Sequence, residues 1–204
     1  MPLNFPTSPT NGQTYTYTGT TWTWNGSSWS VLSSGNFVNI TVSGDILPAS
    51  NVTSDIGSLT NQFGDIYGTA YRARYADLAE RYAADAVYDY GTVLVFGGKY
   101  EVTASTSKNE MGIAGVVSQH PALCMNETAG DDSTHPYIAL QGRVPCKVVG
   151  SVKKGDVLVA SDVAGHAVAW TDTETDPRMT AYIGIAIEDK LGGELGYVEV
   201  KVGK

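Results

Sequence analysis

One β pattern occurs twice in the second half of the chain, and it limits the fold more than any other feature. Gly-Thr-Val-Leu-Val begins at Gly91, and Gly-Asp-Val-Leu-Val begins at Gly155. Each copy continues through a glycine-containing turn to a run with the motif Gly-Ile-Ala, which aligns Gly112 with Gly184. The second pair of glycines is farther apart in sequence than the first pair, as loop insertions would produce. Short strands with glycine turns predict a duplicated β-barrel or β-sandwich over residues 90–204.

The composition agrees with a mainly β chain and excludes several classes of function. The 204 residues include 23 glycines, and only 17% of them are charged. A formal net charge of −8 provides no basic face for the phosphates of nucleic acid or for anionic lipid. We therefore predict no nucleic-acid partner and no membrane association, and the first ten residues lack the pattern of a signal peptide.

Residues 1–32 concentrate aromatic residues in a small β pattern. Three of the four tryptophans lie here, and the residues fall in pairs two positions apart: Tyr15 with Tyr17, Trp22 with Trp24, and Trp29 with Val31. In strands, this spacing puts each pair on one face and Thr and Ser on the other. With turns at Thr18–Gly19 and at Asn25–Gly26, the segment is predicted to be a three-stranded meander. So small a sheet has no second layer, so its aromatic face is expected to meet another surface.

Residues 33–69 show neither helical nor alternating periodicity. Short apolar groups, Phe63 and Ile66 among them, are separated by Gly, Ser, Asn and Asp. So long an irregular connection is unusual in a compact domain. It is consistent with an extended shaft whose core is shared between chains.

Residues 70–89 carry the best helical pattern. Tyr71, Tyr75, Leu78 and Tyr82 recur at positions i, i+4, i+7 and i+11, which predicts one short helix with an apolar stripe. Arg81 is assigned to solvated ion pairs on the opposite face.

The nearest approach to a metal site or a catalytic pair lies in the loop between two predicted strands. His120, Cys124 and His135 are the candidate ligands, together with Asp131 and Asp132, and Cys124 is the candidate nucleophile. The loop contains neither CxxC nor HxH, and each of the two histidines precedes a proline. We therefore predict no metal, no cofactor and no catalytic residues.

Three stretches of the chain resemble structural proteins of tailed phages. MPLNFPTSPTNGQTYTYTGTTWTWNGSSW is similar to the amino-terminal segment of virion and tail-fibre proteins, and SGDILPASNVTSDIGSLTNQFGDIYG resembles a repeat of fibre shafts. YADLAERYAADAVYDYGTVLVFGG, RVPCKVVGSVKKGDVLVAS and GIAIED follow in that order. They resemble the carboxy-terminal domain of phage fibres and neck appendages, which is classed with intramolecular-chaperone autoprocessing domains.

The resemblance implies a homotrimeric fibre or appendage of the virion, made in the cytoplasm of the bacterial host. Its amino-terminal meander would dock on other virion proteins, and its β domain would point outward for host attachment. Two alternatives stay open. Trp22, Trp24 and Trp29 could form a stacking platform for host surface glycan, or the chain could be a self-cleaving protease, as chaperone members of the family are. No catalytic residue is carried over from those members, so we expect that the protein is not an enzyme.

Overall fold

The computed structural model describes residues 4–31, 41–51, 54–171 and 181–203. The chain divides into two compact units, Met1–Ile66 and Tyr67–Lys204. The protein is mainly β, as the sequence predicts. In the described part of the chain, no helix is long and apolar enough to span a bilayer.

The first unit contains the predicted meander. Strands β1 (Thr14–Tyr17), β2 (Thr20–Trp24) and β3 (Trp29–Val31) pair antiparallel in the order β1-β2-β3. Positive φ angles at Thr18 (46°) and Gly19 (84°) form the tight two-residue turn between β1 and β2. The second turn is held by Asn25, whose side-chain oxygen accepts hydrogen bonds from the backbone N–H groups of Ser27 (2.9 Å) and Ser28 (2.8 Å).

The rest of the first unit has no regular structure among its described residues. Residues 41–51 and 54–66 are exposed and include only short turns. The irregular pattern of this segment is therefore confirmed, while residues 33–40 and 52–53 lie outside the described part.

The second unit is built from ten strands and one 3-10 turn, Glu127–Ala129, within its described residues. The strands are β4 (Asp77–Arg81), β5 (Val93–Phe96), β6 (Val102–Ala104), β7 (Ile113–Val117), β8 (Leu123–Met125), β9 (Tyr137–Val149), β10 (Val157–Ala160), β11 (Ala167–Ala169), β12 (Tyr182–Ala186) and β13 (Leu195–Val202). Eight of them form one path in the order β11-β10-β12-β13-β9-β7-β5-β6. A parallel bridge between Ala167 and Val148 joins β11 to β9, and this closes the second half of the sheet on itself.

The strand order shows that the sequence repeat is a structural one. Strands β5, β6, β7 and β9 correspond to β10, β11, β12 and β13, and the antiparallel pair β9–β13 lies at the centre of the path. Leu94 and Leu158 each begin a register shift in their strand, and they pair with Gly115 and Gly184 respectively. The two halves are therefore related by an approximate twofold axis between β9 and β13.

The pairing corrects the alignment of the repeat. Gly184 corresponds to Gly115, and not to Gly112 as the shared Gly-Ile-Ala motif predicts. The shared motif gives the wrong alignment because strand register depends on which side chains face the core, and not on local sequence identity.

Both equivalent glycines stand where two strands approach closely. A Cβ atom at Gly115 would overlap the carbonyl oxygen of Ala139, and one at Gly184 would overlap that of Lys201. Ala139 and Lys201 occupy corresponding places on β9 and β13. The two halves therefore share the same close contact between a glycine and a carbonyl oxygen of the neighbouring strand.

The interior is aliphatic and forms two clusters. The larger cluster draws side chains from both halves and from the central pair of strands, and it includes Val93, Val144, Val148, Leu158, Val198 and Val200. The smaller cluster is built around Leu94, Val102 and Ile138. Tyr82 and Tyr88 pack against the smaller cluster, so the chain just after β4 covers one side of the first half.

The predicted helix over residues 70–89 is wrong. Residues 70–76 have no regular structure, and β4 occupies Asp77–Arg81. β4 pairs antiparallel with β9 and parallel with β8, so hydrogen bonds from two neighbours replace those within a helix. Tertiary pairing here overrides the local helical preference. No apolar stripe forms, since Tyr71 and Tyr75 are exposed while Leu78 and Tyr82 are half-buried.

Candidate functional site

The five predicted aromatic residues lie on one face of the amino-terminal sheet. Tyr15 pairs with Trp22, and Trp22 pairs with Val31. Trp24 pairs with Trp29, and their ring centroids are 5.7 Å apart. Tyr17 follows Tyr15 by two positions on the same face. All five are half-buried within the unit.

Phe5 completes this face, although it is not among the aromatic residues predicted from the sequence. Its ring stacks on Trp29 at 5.0 Å between centroids and 13° between planes. It also contacts Tyr15 and Trp22 edge-on, at 5.1 and 5.5 Å. The sequence signal for its role is a single phenylalanine between the prolines at positions 2 and 6, since proline favours an extended segment at the amino terminus. The aromatic face therefore has a small cover from its own chain.

The opposite face of the sheet is polar, as predicted. The hydroxyl groups of Thr16 and Thr21 form a hydrogen bond of 2.8 Å across β1 and β2. The hydroxyl of Ser30 donates to the carbonyl oxygen of Thr23 (3.3 Å). Since Phe5 covers part of the aromatic face, a flat indole platform for sugar is only partly available there.

In the second unit, a pocket of about 290 Å³ is lined by several charged and polar side chains. We call it the Asp77 pocket. Its lining includes two carboxyl groups, two guanidinium groups, an imidazole and a hydroxyl, on Asp77, Glu199, Arg74, Arg143, His120 and Ser118. Of this group, only His120 is a candidate from the sequence.

Sheet pairing brings these residues together from four separate parts of the chain. Asp77 begins β4, where its backbone oxygen accepts a hydrogen bond from Ala122 (2.8 Å). Arg143 on β9 donates its backbone N–H to Ala76 (3.2 Å), and Glu199 on β13 pairs with Pro145 of β9. Ser118 directly follows β7. A sequence pattern does not reveal this group, because its members are brought together only by long-range strand pairing.

Gly142 sets the close approach of β4 to β9 beside the pocket. It pairs with Asp77 and has a φ of 113°, a value that favours glycine. A Cβ atom there would overlap the carbonyl oxygen of Ala76. The first residues of β4 can therefore lie against β9 only because this position has no side chain.

Asp77 is the most unusual member of the pocket. The residue is only 6% exposed, and its Oδ2 atom has no hydrogen-bond partner among the described residues. Burial raises the pKa of the Asp77 carboxyl, and the hydrogen bond with Ser118 opposes this only in part. Burial and the nearby Glu188 likewise raise the pKa of Glu199, against the charge of Arg143. Buried carboxyl groups with raised pKa values are typical of functional sites.

Two aromatic side chains belong to the lining of the pocket. The rings of Tyr75 and His120 stack at 5.3 Å between centroids, with 28° between their planes. Val144 and Pro145 add apolar surface. Tyr75, predicted to belong to a helix stripe, instead lines this pocket.

A second cluster lies around Arg81 on β4. Its guanidinium group is 5% exposed and binds Asp132 (2.9 Å), Glu127 (3.3 Å) and the carbonyl oxygen of His135 (2.6 Å). It also lies 3.8 Å from the ring centroid of Tyr137. The expectation of a solvated arginine is therefore wrong.

The ion pairs of Arg81 also stabilise the charged form of its guanidinium group. Burial disfavours the charged form, but the bonds to Glu127 and Asp132 outweigh burial and raise the pKa of Arg81. The arginine ties the loop after β8 to β4, which is a structural role.

The three candidate metal ligands occupy different surroundings. His120 stacks on Tyr75, Cys124 lies on β8, and His135 contacts the hydroxyl of Thr134 through Nδ1 (3.0 Å). No three histidine, cysteine or acidic side chains come together as a ligand set within the described ranges.

The thiols are poor nucleophiles. Burial and the neighbouring Glu127 raise the pKa of Cys124 to about 12, and burial alone raises the pKa of Cys146 to about 12. Thiolate, the reactive form, is therefore disfavoured at neutral pH.

A cavity of about 350 Å³ lies where the two halves of the β domain meet. Its lining contains corresponding residues from both halves, such as Ile113 with Tyr182 and Leu140 with Val202. The lining has no charged side chain among the described residues, so the Asp77 pocket is the stronger candidate for specific recognition.

No family model matches the chain, and no curated protein matches it.

Proposed function

We propose that the protein is a structural component of a tailed-phage virion. It acts as a short homotrimeric fibre or appendage that docks through its amino-terminal unit. The β domain is presented outward for host attachment. The motifs quoted above support the phage assignment, and the exposed apolar residues of the first unit support the oligomeric state.

The single observation that carries this proposal is the apolar surface of residues 41–66. Six large apolar side chains are between 61% and 81% exposed in one chain: Ile46, Leu47, Ile56, Leu59, Phe63 and Ile66. Large apolar side chains exposed in such number within one short segment are typical of interaction sites. Three copies of an extended segment can cover these side chains around a threefold axis.

The free energy of burying these apolar side chains is similar in size to the cost of association. Full burial of one such side chain contributes about 1.5–3 kcal/mol, so six contribute on the order of 10 kcal/mol per chain. Association costs roughly 4–15 kcal/mol in lost freedom. The apolar residues of the shaft can therefore offset the cost of bringing chains together, with further contacts from Tyr71 and its neighbours.

The mass of the protein in solution tests the proposal. Light scattering should give three times the mass of one chain, which is 21.6 kDa. Phe63→Ser with Ile66→Ser should lower the mass toward that of one chain, because both side chains would leave the shared core. Val87→Ser with Leu191→Ser is the matched control, since these residues are 72% and 84% exposed on the β domain. A wild-type protein with the mass of a single chain would overturn the trimer.

A self-cleaving activity is the second candidate, and one observation favours it. Asp77 and Glu199 line the same pocket, and both carboxyl groups have raised pKa values, as general acids and bases require. A denaturing gel of the light-scattering sample decides it. A single band at full length argues against cleavage, and a second band without added protease supports it.

A further inference from the structure

The carboxyl group of Asp77 is buried with one oxygen atom unpaired. The residue is 6% exposed, and its Oδ2 atom is hidden from solvent with no hydrogen-bond partner among the described residues. Arg74 and Arg143 line the pocket beside it, but none of the ion pairs in the described part of the chain includes Asp77. A buried carboxylate costs much more free energy than a buried neutral carboxyl group unless the charge is paired. The closed structure around Asp77 therefore favours the neutral form of its carboxyl.

The sign of the pKa shift agrees with this geometry. Burial raises the pKa of the Asp77 carboxyl, and the hydrogen bond with Ser118 lowers it by less. If this end of β4 opened, water would solvate both oxygen atoms and the pKa would return toward its ordinary value of 3.8. A carboxyl group with a higher pKa in the closed state stabilises that state at low pH, and this contribution is lost as the pH rises from the ordinary value through the raised one. Closure is therefore favoured in acid, and opening is favoured at higher pH.

Asp77 lies at a place where β4 can open without unfolding the domain. Residues 70–76 before it are exposed and have no regular structure. Two hydrogen bonds hold this end of the strand: the N–H of Ala122 donates to the carbonyl oxygen of Asp77 (2.8 Å), and the N–H of Arg143 donates to that of Ala76 (3.2 Å). The ladder with β9 also shifts its register within β4. The first residues of β4 can therefore separate while the rest of the strand stays paired, as the ends of elements commonly do.

The other ionisable groups beside Asp77 come from four places in the chain. Arg74 precedes β4, His120 follows β7, Arg143 lies on β9 and Glu199 lies on β13. The two arginines stay charged at every pH of interest. Burial and the nearby Glu188 raise the pKa of Glu199, and histidine as a residue type changes its charge near neutral pH. His120 and Glu199 are therefore the two groups whose titration must be separated from that of Asp77.

We propose that Asp77 makes the pairing of the first residues of β4 dependent on pH. While its carboxyl is neutral, these residues stay against β8 and β9. When the carboxyl ionises, they separate so that water can solvate the charge. This opening is a property of the β domain of one chain, so it depends neither on the trimer nor on the attachment role.

Hydrogen exchange on the full-length protein, read residue by residue between pH 4 and pH 8, tests the opening. The amides of Ala122 and Arg143 are the reporters, since they donate to β4. The amide of Ser161, which donates to the carbonyl oxygen of His166 (2.9 Å), is the reference in the second half. After division by the intrinsic exchange rate at each pH, the opening constant of the reporters should rise several-fold with pH, by at most about tenfold per pH unit, the slope of one proton. The opening constant of Ser161 should not change.

Two variants assign the pH dependence to Asp77. Asp77→Asn keeps the shape of the neutral carboxyl and cannot ionise, so the opening constant of the reporters should change by less than about twofold over the same range. Ser118→Ala removes a hydrogen bond that favours the ionised form, so the rise should become larger and continue to higher pH. The matched controls are His120→Gln and Glu199→Gln, which should show the same rise as the unmodified protein.

Three results would overturn the inference. The first is an opening constant of Ala122 and Arg143 that does not change with pH in the unmodified protein. The second is an equal rise at Ser161, which would mean that the whole domain opens. The third is a rise that persists in Asp77→Asn. If Asp77→Asn does not fold, Ser118→Ala decides, because a rise identical to that of the unmodified protein would exclude the carboxyl as its source.

Discussion

The two units of the molecule bury their apolar residues in different ways. In the β domain, large side chains such as Leu94, Leu158 and Ile138 are fully buried by strands of the same chain. In the first unit, Phe5 gives partial cover to one face of a three-stranded sheet, while Ile46 and Ile66 are exposed. The β domain therefore carries its own core. The first unit, by contrast, has only one small three-stranded sheet, and such a sheet is marginal when isolated.

The duplicated scaffold of the β domain also differs from its candidate site. The strands of the two halves correspond one to one, but β4 and β8 have no counterpart among the described residues of the second half. Asp77 belongs to β4, and His120 lies between β7 and β8. The repeat provides the core, and the elements added to one half bring Asp77 and His120 beside pocket residues of β9 and β13.

The largest effect is expected at two equivalent glycines of the β domain, where neighbouring strands approach closely. Gly115→Ala and Gly184→Ala should each destabilise the protein by about 3 kcal/mol, because the new methyl group overlaps a backbone carbonyl oxygen of the next strand. Gly115→Ala should cost somewhat more, since its φ of 154° is also unfavourable for alanine. Urea unfolding measures both changes. If one variant unfolds far more easily than the other, the two halves are not equivalent in packing.

A smaller effect is expected from the polar cluster of the first half. Arg81→Met should cost about 2 kcal/mol, less than the roughly 3–5 kcal/mol for a fully buried pair, because Glu127 and Asp132 remain in contact with water. Urea unfolding gives the free energy, and proteolysis should now cut the loop at residues 126–136. Lys99→Met, which removes an exposed cation, is the control. A loop that stays resistant to protease would contradict the tying role of Arg81.

The smallest effect on overall stability is expected in the first unit. Phe5→Ala removes three aromatic contacts, each worth about 0.5–1.5 kcal/mol, from a half-buried ring. Tryptophan emission should shift to longer wavelength, as Trp22 and Trp29 gain contact with water, while the unfolding transition of the β domain stays unchanged. Thr7→Ala, in the same lead, is the control. A lower transition temperature for the β domain would show that the two units are coupled.

Much of the fold could be read from local patterns. The two-residue spacing of Tyr15 with Tyr17 and of Trp22 with Trp24 predicts the strands of the meander correctly, and so does the turn at Asn25, because alternation and turn chemistry are local properties. The repeated Gly-x-Val-Leu-Val predicts the duplicated β domain, although the motif at Gly112 led to the wrong partner for Gly184. The helix prediction for residues 70–89 is wrong. The tyrosines in this segment have helical spacing, but β4 within it pairs with β8 and β9 in the sheet.

The candidate site could not be predicted in the same way. Asp77, Ser118, Arg143 and Glu199 are far apart in sequence, and each taken singly resembles an ordinary surface residue. Only strand pairing places them around one pocket and buries Asp77 away from water.

The sequence by itself determined the mainly β class, the aromatic face of the first sheet and the duplication of the second unit. These follow from spacing and from turn residues, which act over a few positions of the chain. The tertiary structure alone decided that Asp77–Arg81 is a strand, that Arg81 is buried and that a polar pocket forms beside β4. Such features depend on hydrogen bonds and desolvation between segments that meet only when the sheet has formed, so no local pattern encodes them.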